Sequence, residues 1–409
     1  MFDDSYLLII LTSVLIILSY LYSAISLRTK FPSVLLLLFT GIVARVVFEN
    51  LGYELPPTKT LLEFFGVVGI ILIVLEGAMD LRLRRDKLWL ILRSFLSALV
   101  ILMVSSFSIA FGMKTIFTEF TFYGCLINAI PLAVISSSIA IPSVHGIHED
   151  KKEFIIYESI FSDILGILFF NAVVNNPTFE IQSAAWLIGD FLIVISVSII
   201  FTGLVLFFIQ KTTMNIKFFL LIAIMVLLYA LGKIIHMSSL LMILIFGLIF
   251  NNLDLLAPHQ LAKFIHIEKL QDGIDRFKMI TNESAFLIRT FFFFIFGFTL
   301  QLQALGNFKV LITGFIIVGI LYGVRYLYLK FLAHRNLYPE LFIAPRGLIT
   351  ILLYYAIPEE YSKGIISEGL LFLVILVTSF IMMLGLLKSK EEIPEMEIYV
   401  GDQQVDDNN

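Results

Sequence analysis

The sequence predicts an all-α polytopic membrane protein of about thirteen transmembrane helices, and three observations predict it. Of 409 residues, 59% are hydrophobic and 15% charged, against about 25% charged in an ordinary soluble domain. The mean hydropathy is +0.98. Apolar runs of about 20 residues recur along the chain, each long enough to cross a hydrocarbon core at about 1.5 Å of rise per residue.

In order, the runs fall at 6–25, 33–48, 61–79, 88–111, 121–141, 154–174, 184–209, 216–235, 238–251, 281–302, 308–332, 340–357 and 366–387. The distribution of Lys and Arg tests this count. With the N-terminus outside, the cytoplasmic loops are 27–32, 80–87, 145–153, 210–217, 251–281 and 333–338, followed by the tail. With Lys330 at their edge, these segments hold most of the 28 Lys and Arg. The opposite side holds Lys59, Lys114, Lys233, Lys309 and Lys363, while Arg45, Arg93, Arg289, Arg325 and Arg346 lie inside spans. A miscounted span would scramble this asymmetry. The expectation is therefore a multi-pass protein of the cell (inner) membrane, N-terminus outside and C-terminus cytoplasmic.

Residues 1–388 form one transmembrane domain in this reading, and 389–409 a disordered acidic cytoplasmic tail. The start MFDD is acidic and no small-residue cleavage site follows Ile25, so the first span is expected to be retained. A single Cys125 forms no intrachain disulfide. A net charge of −4 says little about partners, and no nucleic acid is expected among them. Within loop 251–281, LAKFIHIEKLQDGIDRFKM places apolar and charged residues at helical spacing, which predicts an amphipathic helix on the cytoplasmic face.

An odd count of spans permits six, a linker span, and six more inverted, an architecture of secondary transporters that carry broken helices at equivalent places. In span five, Pro131 and Pro142 flank Ser136, Ser137 and Ser138. In span twelve, Pro345-Arg346-Gly347 precedes a short apolar run ending at Pro358. Proline removes a backbone donor, so these are the candidate interruptions, five and twelve, where freed carbonyls and amides meet a ligand. Two Pro-kinked packing helices are the plain alternative.

The chemistry centres on 157–167, YESIFSDILGI, inside the apolar run 154–174. Asp163 falls near mid-membrane, where a charge costs roughly 2.5–3.5 kcal/mol and persists where it binds or relays something. Ser159 and Gly166 share its helix face, whereas Glu158 lies about 140° away and serves other neighbours. Low dielectric disfavours an ionised carboxylate and an arriving cation favours it, so H⁺ and a cation compete for Asp163. Its metal role is thus limited to a transported monovalent cation. Hydroxyls of Ser159 and Ser162, with carbonyls freed around Ser136–Ser138, offer the all-oxygen shell a hard cation needs. Serine hydroxyls in membrane helices also bond their own backbone.

ESIFSD before a Gly-containing apolar run resembles the sixth-helix signature of the monovalent cation/proton antiporter superfamily, the sodium/hydrogen exchanger-like transporters of NhaP and Kef type. ISSSIAIPSV resembles their broken fifth helix, FFFFIFGFTLQL the tenth, GVRY the eleventh and APRGLIT the twelfth. The resemblance runs through nearly the whole chain in order. It implies exchange of Na⁺, Li⁺ or K⁺ for H⁺ by elevator-like movement of a core, in a homodimer embedded in membrane lipid, with no cofactor. It also implies a buried structural pair of Glu158 with Arg325, Arg346 being the second choice of partner. Arg289 matches a position that faces the ion site, where it neutralises Asp163 or pairs with Glu283. Two departures stand out: Ser162 replaces the usual Asn or Asp, and the broken fifth helix lacks the Thr-Asp or Asp-Pro of many members. One acid instead of two predicts electroneutral one-for-one exchange.

Remaining features are weaker. Glu76 and Asp80 close span three, as funnel acids or as a solvated helix end. His145 and His148 border the cytoplasmic entrance, the Phe-rich runs are packing and lipid-facing material, and Arg45 and Arg93 have no readable partners. The leading expectation is Na⁺ export against inward H⁺. Its rivals are a Kef-like K⁺/H⁺ exchanger or K⁺ efflux channel, disfavoured by the missing nucleotide-binding domain, and a non-transporting sensor. An intramembrane enzyme would need paired acids, a metal cluster or a nucleophile–base set, which the sequence lacks.

Overall fold

The computed structural model describes residues 4–51, 58–81, 83, 85–144, 147–176, 196–204, 218–234, 239–253, 267–300, 308–333, 338–362, 364 and 366–388. Among these there is no β-strand. The helices are α1 (Asp4–Thr29), α2 (Ser33–Asn50), α3 (Thr58–Asp80), α4 (Leu88–Ile116), α5 (Phe122–Ala133), α6 (Ser137–Ser143) and α7 (Glu149–Asn175). After a helical stretch at 196–204 follow α8 (Phe218–Ile234), α9 (Ser239–Asn251), α10 (Ile267–Thr299) and α11 (Phe308–Leu327), which ends in a π turn at Tyr328–Leu332. The last are α12 (Leu348–Tyr355), α13 (Glu359–Ser362) and α14 (Glu368–Lys388). Seven segments among the described residues are long and apolar enough to cross a membrane. The all-α polytopic architecture is as the hydropathy predicts.

Two bundles make up the packing. In the first, α10 lies along α2 and α3, and α9 fills the space between α3 and α8. In the second, α4 packs on α5 and α7, α6 on α7, and α11 on α14 and α4. Among the described residues, contacts between the bundles are few and run mainly from α3 to α7 and α12. The α2–α10 seam is set by two glycines at backbone distance. A Cβ on Gly41 would lie 2.2 Å from the Phe294 carbonyl oxygen, and one on Gly297 2.2 Å from that of Leu38. Without a hydrophobic drive between helices in lipid, such close approach is a main source of cohesion.

Both candidate interruptions are breaks. Span five stops at Ala133, runs extended through 134–136 and restarts at Ser137. In span twelve the first half is not helical at all: a turn at 338–342 leads into irregular 343–347, and helix begins at Leu348. The amphipathic segment is helical from Ile267, as expected, and it is continuous with span ten: α10 runs 33 residues, about 50 Å, without a break. One Gly273 is too weak a breaker to divide it. Span seven lies mostly outside the described residues, as do His145 and 389–409.

Candidate functional site

Breaking span five exposes helix ends in the interior, and the structure meets each with a charge. Pro131 occupies the last turn of α5. Arg346 donates from Nε to the Leu132 carbonyl at 3.0 Å, from Nη2 to the Ala133 carbonyl at 3.2 Å, and from Nη1 to the Ala344 carbonyl. A guanidinium thus covers the negative end of the α5 dipole. On the other side of the break, the amide of Ser137 opens α6 and donates to Asp163 Oδ2 at 3.0 Å. The non-helical segments of the two breaks touch directly, Ser136 N donating to the Pro345 carbonyl at 2.9 Å.

Asp163 is 6% exposed, and its Oδ1 is buried with no hydrogen-bond partner. That oxygen is left unmatched in an interior where an unsatisfied charged acceptor is costly. Gly166, three residues on, makes the approach of α7 possible: a Cβ there would lie 2.3 Å from Val134 Cγ2.

The serines divide. Ser162 Oγ accepts from the Ile135 amide at 2.9 Å, and Ser136 and Ser138 share a hydroxyl contact of 2.8 Å. These residues and Ser137 gather at the break with Asp163. Ser159 instead donates into its own helix, to the Ile156 carbonyl at 3.0 Å. The carbonyls expected to be free are partly taken, because Arg346 holds those of Leu132 and Ala133.

Glu158 and Arg325 meet as a two-pronged pair, Nη2 to Oε2 at 2.7 Å and Nη1 to Oε1 at 3.1 Å, each side chain 1% exposed. Ser97 Oγ donates to Glu158 Oε1 at 2.5 Å, and the Glu340 carbonyl accepts from Arg325 Nε and Nη2 at 2.9 and 2.7 Å. The planar fork matches the carboxylate, and the Glu340 carbonyl takes two of its remaining three donors, which favours a buried ion pair.

Arg289 does not make the expected pair with Glu283, while its charge lies within electrostatic reach of Asp163. It donates to Glu76 Oε1 at 3.0 Å, and it neither pairs with Glu283 nor contacts Asp163 directly. Six residues separate Glu283 from Arg289, which turns it about 120° around α10. There it accepts from Tyr20 Oη at 2.7 Å. Asp80 is likewise partnered, by Lys278 at 3.0 Å. Sequence reasoning named Glu76 and Asp80 but not their bases, and missed Ser97 and Thr378, whose hydroxyl accepts from the Arg346 amide at 3.1 Å. The legible signal was an acid and a base each stranded in an apolar run. Among the described residues no group of three or more His, Cys, Asp or Glu is placed to hold a resident metal ion.

A family model described as sodium/hydrogen exchanger, transmembrane, matches residues 12–388. Among solved structures, the sodium proton antiporter of Methanocaldococcus jannaschii at pH 8 superposes with a TM-score of 0.66 and 18% identity, covering 95% of this chain and 97% of that one. An electron-microscopy structure of the same antiporter gives 0.64 and 18%, covering 96% and 99%. At that identity the likeness establishes the fold. No protein with a curated description matches the chain.

Proposed function

Because the chain belongs to the sodium/hydrogen exchanger family of membrane transporters, we propose that it exchanges Na⁺ for H⁺ one for one, with Asp163 holding either ion in turn. One observation carries this reading: the buried, unpartnered Oδ1 of Asp163 beside the broken span. A proton on that oxygen removes the charge, and a monovalent cation beside it balances the charge. Both loaded forms of the site are neutral, whereas the empty anion is costly in low dielectric. That cost keeps the empty site from crossing and couples the two fluxes. Ser162 and the Ser136–Ser138 hydroxyls supply further oxygens, an oxygen set suited to Na⁺ or Li⁺. Asp163 Oδ2, held by the Ser137 amide, fixes the carboxylate's orientation through the cycle.

The Glu158–Arg325 pair and Arg346 are structural in this reading: one ties α7 to α11, the other ties the two breaks together. The sparse seam between the bundles is where the bundle carrying Asp163 moves. Lys and Arg asymmetry supports a cell (inner) membrane protein with the N-terminus outside and the C-terminus in the cytoplasm. A homodimer is the proposed working form.

The test is cation-driven ΔpH in proteoliposomes, comparing Na⁺, Li⁺ and K⁺. Exchange with Na⁺ and Li⁺ that vanishes in Asp163→Asn supports the proposal. Exchange with K⁺ alone would make the protein a K⁺/H⁺ exchanger, and undiminished exchange in Asp163→Asn would remove Asp163 from the mechanism.

A further inference from the structure

Arg45, Arg289, Arg325 and Arg346 lie inside spans, and each is met by oxygen atoms of the protein. Arg45 Nε is 2.8 Å from Glu49 Oε1, and its Nη1 reaches the Thr299 carbonyl at 2.7 Å. Arg289 has Glu76, Arg325 has Glu158, and Arg346 has the carbonyls of Leu132, Ala133 and Ala344. Arg93 is the exception. It stands in the second turn of α4, exposed, and among the described residues no carboxylate or carbonyl oxygen meets it. A ring meets it instead: the guanidinium carbon lies 4.8 Å from the ring centroid of Trp89, one turn earlier. Trp89 is 63% exposed, and Leu88, Leu92 and Leu96 are exposed beside it. The opposite face of α4, with Ile91, Ser94 and Ala98, is the buried one. Tryptophan on such an outward face marks the boundary between hydrocarbon and headgroups. An arginine about 8 Å into the helix reaches that boundary along its own apolar stem. The sequence leading into α4 is basic, with Arg82, Arg84 and Arg85 against Asp86, while Lys87 is taken by Glu153. A cation in a span that faces lipid needs a counter-charge, and no described residue supplies one.

We propose that the Trp89–Arg93 face of α4 is a binding site for the headgroup of an anionic phospholipid. The guanidinium donates to two phosphate oxygens, the bond its planar fork is shaped for. The Trp89 ring supports the guanidinium through its π face, and Leu88, Leu92 and Leu96 lie along the acyl chains. Charge selects among headgroups. A zwitterionic lipid brings its own cation to the phosphate, whereas an anionic lipid leaves that charge to Arg93 and to the basic sequence before α4. Because α4 packs on α7, the bound lipid belongs to the bundle that carries Asp163. The site does not depend on the exchange reading above.

Trp89 reports on its own neighbours. Trp186→Phe leaves it as the sole tryptophan, and lipids brominated along the acyl chain quench its fluorescence. The protein is placed in phosphatidylcholine vesicles with a minority of phosphatidylglycerol, the bromine being carried by the phosphatidylglycerol or by an equal amount of the phosphatidylcholine. Phosphatidylglycerol is expected beside Trp89 at about fivefold its share of the bilayer, the ratio one basic side chain commands at an anionic surface. Arg93→Gln and Arg93→Met, which drop the charge, should abolish that enrichment, and Arg93→Lys should keep part of it. Quenching by brominated phosphatidylcholine should persist in all three, with the ring still at the bilayer. Equal quenching by the two lipids in the protein with Arg93 intact overturns the proposal and leaves the face to bulk lipid or to a protein partner. Enrichment that survives in both uncharged variants also overturns it and assigns the attraction to the neighbouring arginines. Should Trp186→Phe fail to fold, the difference in quenching between the unaltered protein and Trp89→Phe supplies the same ratio.

Discussion

Two buried acids on one helix, five residues apart, meet opposite fates. Glu158 has a guanidinium, a hydroxyl and full burial; Asp163 has one backbone amide and an oxygen with nothing opposite it. The first arrangement is a closed account of charge and the second an open one. Removing one partner of the closed pair strands a buried charge, which typically costs about 3–5 kcal/mol. Arg325→Ala is therefore expected to lower the thermal midpoint of the purified protein sharply. Glu158→Ala/Arg325→Ala should lose less than the two single changes added together, and a double-mutant cycle of melting curves checks this. The sequence displayed Asp163, Glu158 and Arg325 plainly, because charges in apolar runs are rare. It could not display that Arg289 faces Glu76, because that pairing depends on how α3 and α10 rotate against each other.

At the scale of elements, the site exists because two spans fail to be continuous helices and their non-helical pieces cross. Pro131, the Ser run and Pro345-Arg346-Gly347 announced the interruptions in the sequence. They did not announce that the first half of span twelve is a turn, nor that Arg346 would take the carbonyls the break released. Close helix approach is equally silent in one sequence, since a glycine at a seam looks like any other. Gly166→Ala puts a methyl group where Val134 stands and is expected to displace the 134–136 segment, reducing exchange severalfold. Val134→Ala in the same chain frees that space and should restore much of the rate in a vesicle ΔpH assay. Gly297→Ala meets backbone rather than a side chain, at 2.2 Å from the Leu38 carbonyl oxygen. No neighbouring truncation can relieve it, so lower stability in detergent is expected with no such rescue.

At the largest scale, the described helices pack as two bundles joined by few contacts, and the ionisable site lies beside that seam. The recurrence of long apolar helices was readable from the chain because lipid enforces it. The division into bundles was not, since it is a matter of which apolar faces meet. An exchanger whose loaded site is neutral in both directions moves no net charge and feels no membrane potential, whereas one uncompensated charge would feel about 2.3 kcal/mol per 100 mV. The initial rate of exchange is thus expected to stay level when a potential is imposed on proteoliposomes.

The central claim is that a proton and a cation cannot occupy Asp163 together. Its most direct test is to add Na⁺ to the purified protein in weakly buffered detergent solution and count the protons released. Close to one proton per bound cation is expected, with cation affinity that weakens as the solution is made more acidic and no release from Asp163→Asn. Cation binding without proton release, or full release from Asp163→Asn, would contradict it.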